Sequence, residues 1–305
     1  MSPAIRPPQL NDYILLLCLT IIWSSAFLAI KIAVPETGPV WLAASRVTIA
    51  FLITLPWFLW RGAVFPTNRR DWTFIIVLSF INITIPFLLI SWAQQFIDSG
   101  VSAMLLGTTP FLALTFNHFA TNDDKFNSAK LIAVVFGFAG ISLVVGEGVM
   151  DQLDESWLAQ AAIIAAAICY VCSSIMVRKL SAMPPTRMTT LVMGFATIQL
   201  ITLGLIDGFP DINSISTNTW MTILYLGIFP TGLAAILRFQ LIRKIGASYF
   251  SLGLNLIPVF GVSLGAIVLG EKVSWTVALA LLLIVSGLFI ARLKASASNA
   301  RKQNT

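Results

Sequence analysis

The sequence predicts an all-α integral membrane protein, with ten transmembrane helices arranged as two inverted five-helix repeats around a central cavity. Three observations predict it: ten apolar stretches, loops that alternate in charge, and a second half that resembles the first. Hydrophobic residues make up 57% of the chain and charged residues only 10%, which leaves no room for a sizeable soluble domain. An apolar run of about 20 residues crosses about 30 Å of hydrocarbon as a helix. Such runs recur at 12–34, 39–60, 72–96, 101–120, 128–147, 156–178, 187–207, 219–242, 247–269 and 275–293.

Each span carries its own marks. The first places Thr20, Ser24 and Lys31 on one stripe at helical spacing, with Trp23 beside it. The second holds Arg46, about two turns from its end and so roughly 10 Å deep at the helical rise. In the third, Ser79, Asn82 and Pro86 share a face, and Trp92 lies nearer the outer end. The fourth contains Pro110 and, near its cytoplasmic end, His118. Ala133, Gly137 and Gly140 in the fifth, like Ser286 and Gly287 in the tenth, are spaced for close helix–helix contact. Those two helices are expected at the periphery, as packing elements or a dimer surface. The sixth carries Tyr170, Ser173 and Ser174, and the seventh runs apolar from Arg187 to Asp207. The eighth contains Pro230, with Arg238 close enough to its inner end to snorkel to the headgroups. The ninth aligns Ser248, Ser251 and Asn255, with Pro258 one turn on. The prolines remove backbone donors inside spans and are expected to bend them.

Charge sets the orientation. Arg61, Arg69 and Arg70, then Lys125 and Lys130, Arg178 and Lys179, Arg243 and Lys244, and Arg292 to Lys302 fall on one side. The other side has only Lys272 among basic loop residues, and gathers Glu36, Asp98, Glu147, Asp151, Asp154, Glu155, Asp207, Asp211 and Glu271. Cytoplasmic loops retain Lys and Arg, so both termini are expected in the cytoplasm. The net charge of +6 is then a topology signal, and no nucleic-acid partner is expected. The first run is too long for a cleavable signal, and no small-residue cleavage site follows it.

The halves resemble each other. Gly100-Val-Ser leading to Pro110 lines up with Gly246-Ala-Ser leading to Pro258, given a two-residue insertion. Asp124-Lys125 answers Glu271-Lys272, Gly140 answers Gly287, and Trp92-Ala93-Gln94 answers Arg238-Phe239-Gln240. Five spans in each copy, 12–147 and 156–293, force the second to enter from the opposite side. The basic loop after span two accordingly corresponds to the acidic loop after span seven. Inverted repeats are a solute-carrying architecture, with the site near mid-membrane where the halves meet.

Polar residues inside spans cost energy unless they face a partner or water. The cavity candidates are therefore Trp23, Ser24, Asn82, Pro86, Trp92, Tyr170, Ser173, Ser251 and Asn255. Arg46, Lys31 and Arg238 are the candidates for a charge role; for Arg46 both a structural tie to backbone carbonyls and an attraction for an anionic substrate group are open. No Asp or Glu lies mid-span, which argues against ion coupling through a carboxylate. Cys18, Cys169 and Cys172 fall inside spans and read as buried packing thiols. No ligands cluster with His118, so neither a metal nor a cofactor is expected, and no catalytic residue is assigned.

The residues also resemble a known family. Ile22-Trp23-Ser24-Ser25-Ala26-Phe27 with Lys31, Pro39 with Arg46, and Pro86 through Gln95 carry the resemblance in the first half. Ile257 through Val262 and Leu269-Gly270-Glu271-Lys272 carry it in the second. Over residues 12–293 the chain resembles the EamA-type branch of the drug/metabolite transporter superfamily, with YddG-like amino-acid exporters as the nearest members. The resemblance implies a basket of helices around a central cavity lined mainly by spans one, three, four, six, eight and nine. It implies alternating-access export of amino acids or similar small metabolites across a bacterial inner membrane. A drug or cationic-metabolite efflux carrier is the alternative, and it would need an acidic cavity group; a channel or a membrane enzyme fits the residues less well. The partners expected are the small-molecule substrate and the lipid bilayer, with monomer and homodimer both open.

Overall fold

The computed structural model describes residues 9–60, 62, 65–120, 128–151, 156–180 and 185–287. These residues are predominantly helical, with no strand among them. In chain order the helices are α1 (Leu10–Trp60), α2 (Arg69–Ser79), α3 (Ile85–Ala93), α4 (Ser99–Leu106), α5 (Thr109–Ala120), α6 (Ser128–Asp151), α7 (Ser156–Leu180) and α8 (Pro185–Asp207). After them come α9 (Thr217–Leu226), α10 (Ala234–Leu254), α11 (Ile257–Leu264) and α12 (Trp275–Gly287). Three wide π turns join consecutive pieces at Phe80–Thr84, Gly227–Leu233 and Gly265–Leu269.

Six helical stretches among the described residues are long and apolar enough to cross a bilayer. The expected ten is therefore met only in part. The span expected at 128–147 lies within α6 (Ser128–Asp151), and those expected at 247–269 and 275–293 are represented among the described residues by the shorter apolar helices Ile257–Leu269 and Trp275–Gly287. Those expected at 12–34 and 39–60 run together as α1, whose 51 residues would measure about 77 Å if straight. It is not straight. Gly38 sits at φ 70°, ψ 162° between Pro35 and Pro39, a backbone setting that glycine adopts without penalty. The chain turns there, so that Trp23 and Arg46 lie at one level: the first meets Pro230 and the second Thr231.

A second reversal is hidden in α10. A loop is expected near Arg243 and Lys244, yet the helical turns continue from Ala234 to Leu254 and stop at Asn255 and Leu256. The carbonyls of Pro230 and Ile257 nonetheless reach neighbouring residues of α1, Trp23 and Ser24. A straight helix between them would hold the two about 40 Å apart. The segment must double back, which preserves the antiparallel hairpin that the basic pair predicts and moves the visible break to Pro258.

The prolines do bend the helices. Pro86 opens α3 directly after a π turn, Pro230 lies inside another, and Pro258 opens α11 after the Asn255–Leu256 break. Pro110 follows the Gly107–Thr108 break between α4 and α5. A missing N–H leaves a carbonyl without its usual partner, and a wider turn accommodates the defect.

Packing follows small residues. A Cβ on Gly137 would fall 2.3 Å from Phe111 of α5, and one on Gly140 would fall 2.7 Å from Ile284 of α12. The glycines of α6 thus serve close contact, as their spacing predicts. One apolar core around Ala33, Val34, Leu42, Met104, Phe111, Ile163 and Leu226 joins the N-terminal and C-terminal halves. Large apolar side chains such as Leu52, Leu131, Ile198, Met221 and Leu282 point outward. Helices apolar on both faces belong in lipid, and this is a multi-pass membrane protein.

Candidate functional site

One group of polar contacts between the N-terminal and C-terminal halves gathers around the bent helices. From α1, Trp23 Nε1 donates to the Pro230 carbonyl at 3.1 Å, Ser24 Oγ lies 3.2 Å from the Ile257 carbonyl, and the Ser25 and Tyr225 hydroxyls share a hydrogen bond of 2.5 Å. Ser173 Oγ donates to Asn82 Oδ1 at 2.9 Å. Gln199 on α8 accepts from Thr84 and donates to Ser79, each at 2.6 Å. The bends at Pro86, Pro230 and Pro258 lie beside these contacts. The pattern is that of broken helices, whose freed backbone groups find partners in protein.

Arg46 stands at the centre of this group. It is 6% exposed. Its Nε and Nη2 donate to Thr231 Oγ1 at 3.2 and 3.0 Å, and its guanidinium lies 4.3 Å over the Phe87 ring. Thr231 donates its own hydroxyl hydrogen bond to the Leu226 carbonyl five residues back, so its oxygen presents lone pairs to the arginine. Tyr170 lies within electrostatic reach. No carboxylate pairs with Arg46 among the described residues. The π turn can come this close because Gly227 has no side chain; a Cβ there would fall 2.5 Å from Ile49 and 3.1 Å from the Arg46 carbonyl.

A second constellation closes the end of the bundle that carries the acidic loops. Glu271 accepts from the backbone N–H groups of Ser99 at 2.8 Å and Gly100 at 3.0 Å, capping α4 at its N-terminus. Gly265 makes room for it, since a Cβ there would fall 2.1 Å from the carboxylate. Below the cap α4 lies close against α11: a Cβ on Gly261 would fall 2.2 Å from Ala103, and one on Gly107 2.1 Å from Pro258. At the same end Lys31 Nζ donates to the Ile97 carbonyl at 2.8 Å, and Glu36 accepts from the Ser216 backbone at 2.7 Å. That backbone hydrogen bond from Ser216, helped by Thr219, holds Glu36 below the ordinary carboxylate range. Burial and the neighbouring Glu271 push Asp98 above it, against the pull of Lys31. A small pocket lined by Asp98, Gly100, Val262, Glu271 and Lys272 belongs to this closure and not to the mid-bundle level.

The structure brings Trp23, Ser24, Asn82, Pro86, Tyr170, Ser173 and Arg46 to the polar level. Asn255 stands at the break before α11 with its Oδ1 buried and without a hydrogen-bond partner. Trp92 lies apart, against Phe96 at 5.1 Å near the acidic end. Lys31 is a tie at that end, and Arg238 is exposed on α10. The side chains of Ser251 and His118 lie outside the described residues. All three cysteines are free, and Cys18 is exposed where a buried thiol is expected, on a face of α1 turned outward. Thr231, Phe87, Tyr225 and Gln199 were not singled out by the sequence. The position of Thr231 directly after a mid-span proline is the signal that could have found it.

The level of contacts sits on a framework that other proteins share. The model of the EamA-like transporter family matches residues 11–146 and again residues 157–293. The chain belongs to the EamA-like transporter family. Among relatives of this EamA protein, PagO of Salmonella typhimurium is 24% identical over 286 residues, covering 91% of each chain. The uncharacterized transporter YoaV of Bacillus subtilis is 23% identical and covers 90% of this chain and 94% of its own. An uncharacterized transporter of Archaeoglobus fulgidus is 23% identical, covering 92% and 97% respectively. A solved crystal structure superposes with a TM-score of 0.65 at 24% identity, over 93% of this chain and 98% of that one, and so shares the fold. The EamA chain is a membrane transporter.

Proposed function

We propose that the protein exports amino acids or similar small organic metabolites from the cytoplasm by alternating access. Two inverted five-helix halves, 12–147 and 156–293, rock about the polar level, and both termini lie in the cytoplasm of a bacterial cell with the protein in its inner membrane. The observation that carries this reading is the chain of contacts joining the halves at bent helices: Trp23 to Pro230, Ser24 to Ile257, Ser25 to Tyr225 and Arg46 to Thr231. A fixed channel has no use for paired bends, whereas carriers place substrate sites at discontinuous helices where repeats meet. The capped contact of α4 with α11 is the outward closure in this reading, and opening requires Glu271 to leave Ser99 and Gly100.

The chemistry of the level suits a zwitterion beside an apolar side chain. Hydroxyls and amides from Ser24, Asn82, Ser173 and Asn255 hydrogen-bond without trapping charge. Trp23, Tyr170 and Phe87 offer apolar surface. Efflux of cationic drugs is disfavoured, since the one buried charge at this level among the described residues, Arg46, is positive. Counterflow decides the matter. Proteoliposomes loaded with unlabelled neutral amino acids are expected to accumulate the labelled amino acid and to pass no ion current. Absence of exchange with every neutral amino acid refutes the proposed substrate class, and a conducted current refutes the carrier mechanism.

A further inference from the structure

We infer that Arg46 is a carboxylate-binding residue, and that the transporter selects substrates carrying a carboxylate next to an apolar or aromatic group. The inference deepens the functional reading above and rests on it for the location of the site.

A guanidinium has five N–H donors in a rigid plane. Thr231 Oγ1 takes the Nε edge, accepting from Nε and Nη2. Two donors on Nη1 and one on Nη2 are left, and one from each nitrogen forms the edge that meets a carboxylate through two parallel hydrogen bonds. The group is 6% exposed and has neither an acidic partner nor a second hydrogen-bonding partner among the described residues. A purely structural arginine at this depth would be expected to spend its donors on helix carbonyls; this one makes no such bond.

Its surroundings fix the plane and leave the far edge as the variable element. Phe87 covers one face at 4.3 Å. The Thr231 hydroxyl is locked by its own bond to Leu226 at 2.8 Å, so it cannot rotate away. The aromatic residues Phe87 and Tyr170 beside the charge supply the surface for a substrate's apolar part. A buried cation without a counter-charge is costly inside a membrane. A substrate that brings its own anion relieves that cost on binding, which makes the missing carboxylate a specificity device: cations are repelled and neutral isosteres leave the donors unsatisfied.

The test uses matched pairs on the full-length protein in detergent, read by thermal unfolding: L-leucine against L-leucinamide, L-phenylalanine against L-phenylalaninamide, and 3-phenylpropionate, which keeps the carboxylate and lacks the amine. Sodium chloride is compared with osmotically matched sucrose to detect an inorganic counter-ion. The carboxylates are expected to stabilise the wild type at concentrations about 30-fold or more below those their amides require. Arg46→Gln is expected to abolish the difference, and Arg46→Lys to keep part of it. Equal action of acids and amides on the wild type overturns the inference without any variant, as does chloride alone stabilising the protein as well as the carboxylates do. Undiminished preference for acids in a folded Arg46→Gln protein overturns it too. Amino-acid counterflow without acid preference would sink the role of Arg46 and spare the exporter reading. Phenylpropionate binding through Arg46 without amino-acid exchange would do the reverse.

Discussion

Removing the Glu271 carboxylate is expected to loosen the acidic end of the bundle. In the structure that carboxylate accepts from two backbone N–H groups of α4, Ser99 at 2.8 Å and Gly100 at 3.0 Å. A helix cap contributes about 0.5–2 kcal/mol, and a hydrogen bond to a charged group about 1.5–3 kcal/mol. Glu271 is half-buried, so a total near 2 kcal/mol is the working value for Glu271→Ala. That corresponds to about a 30-fold shift in the closed-to-open equilibrium. Glu271→Gln keeps an acceptor and loses the charge, and is expected to give about half the energy. The assay is alkylation of Val262→Cys, a position 6% exposed that packs on Gly100. It is done with a membrane-impermeant maleimide, in a background where Cys18, Cys169 and Cys172 are alanine. Labelling in Glu271→Ala is expected to run about 30-fold faster than in the parent. An unchanged rate, with the same cysteine fully reactive after unfolding, would refute the reasoning, since it would mean the cap contributes nothing to closure.

The other expectations concern packing, the arginine and pH. Gly261→Val is expected to lower stability by about 1–3 kcal/mol, because overpacking would drive a Cβ into Ala103; a thermal midpoint equal to wild type would contradict the close approach. Thr231→Val strips Arg46 of its one hydroxyl acceptor among the described residues and is expected to cost about 1.5–3 kcal/mol in unfolding experiments, with Thr231→Ser largely restoring it; equal loss in both would point to the methyl group instead. For Glu36 the sign follows from its lowered native value. The advantage of wild type over Glu36→Gln is complete above the ordinary carboxylate range and is lost as pH falls through the lowered native value. A thermal-midpoint difference that grows on acidification would contradict the hydrogen bond from the Ser216 backbone to Glu36.

Much of the fold was written in hydropathy and charge, because both act over whole segments. The hairpin at Gly38 follows from a glycine between two prolines, and the doubling of α10 from a basic pair that interrupts an apolar run. The bends at Pro86, Pro110, Pro230 and Pro258 follow from a covalent property of the residue. Helix junctions were less legible: the sequence does not say where a π turn absorbs a missing donor, and so the break before α11 lies at Asn255–Leu256 and not near Arg243. At the site, depth singled out Arg46, since a charge in an apolar run is visible in one dimension. Its partner was not visible, because Thr231 is one of many hydroxyl residues and becomes special only when two distant segments meet. Trp92 shows the converse ambiguity. An aromatic residue reads alike whether it lines a pathway or packs on Phe96 at a helix end.

In the proposed architecture the chain crosses the membrane with its halves inverted, and Arg46 and Thr231 meet within it. Trp41 Nε1 donates to the Gly208 carbonyl at 2.6 Å, which places the turn after α8 at the Gly38 end. The loop at residues 65–68 follows the far end of α1. Single cysteines at Thr67→Cys and Asn213→Cys, labelled with an impermeant maleimide on intact cells, test this directly. Asn213→Cys is expected to label from outside, and Thr67→Cys only once the membrane is opened; labelling of both from the same side would contradict the architecture and the transport reading built on it.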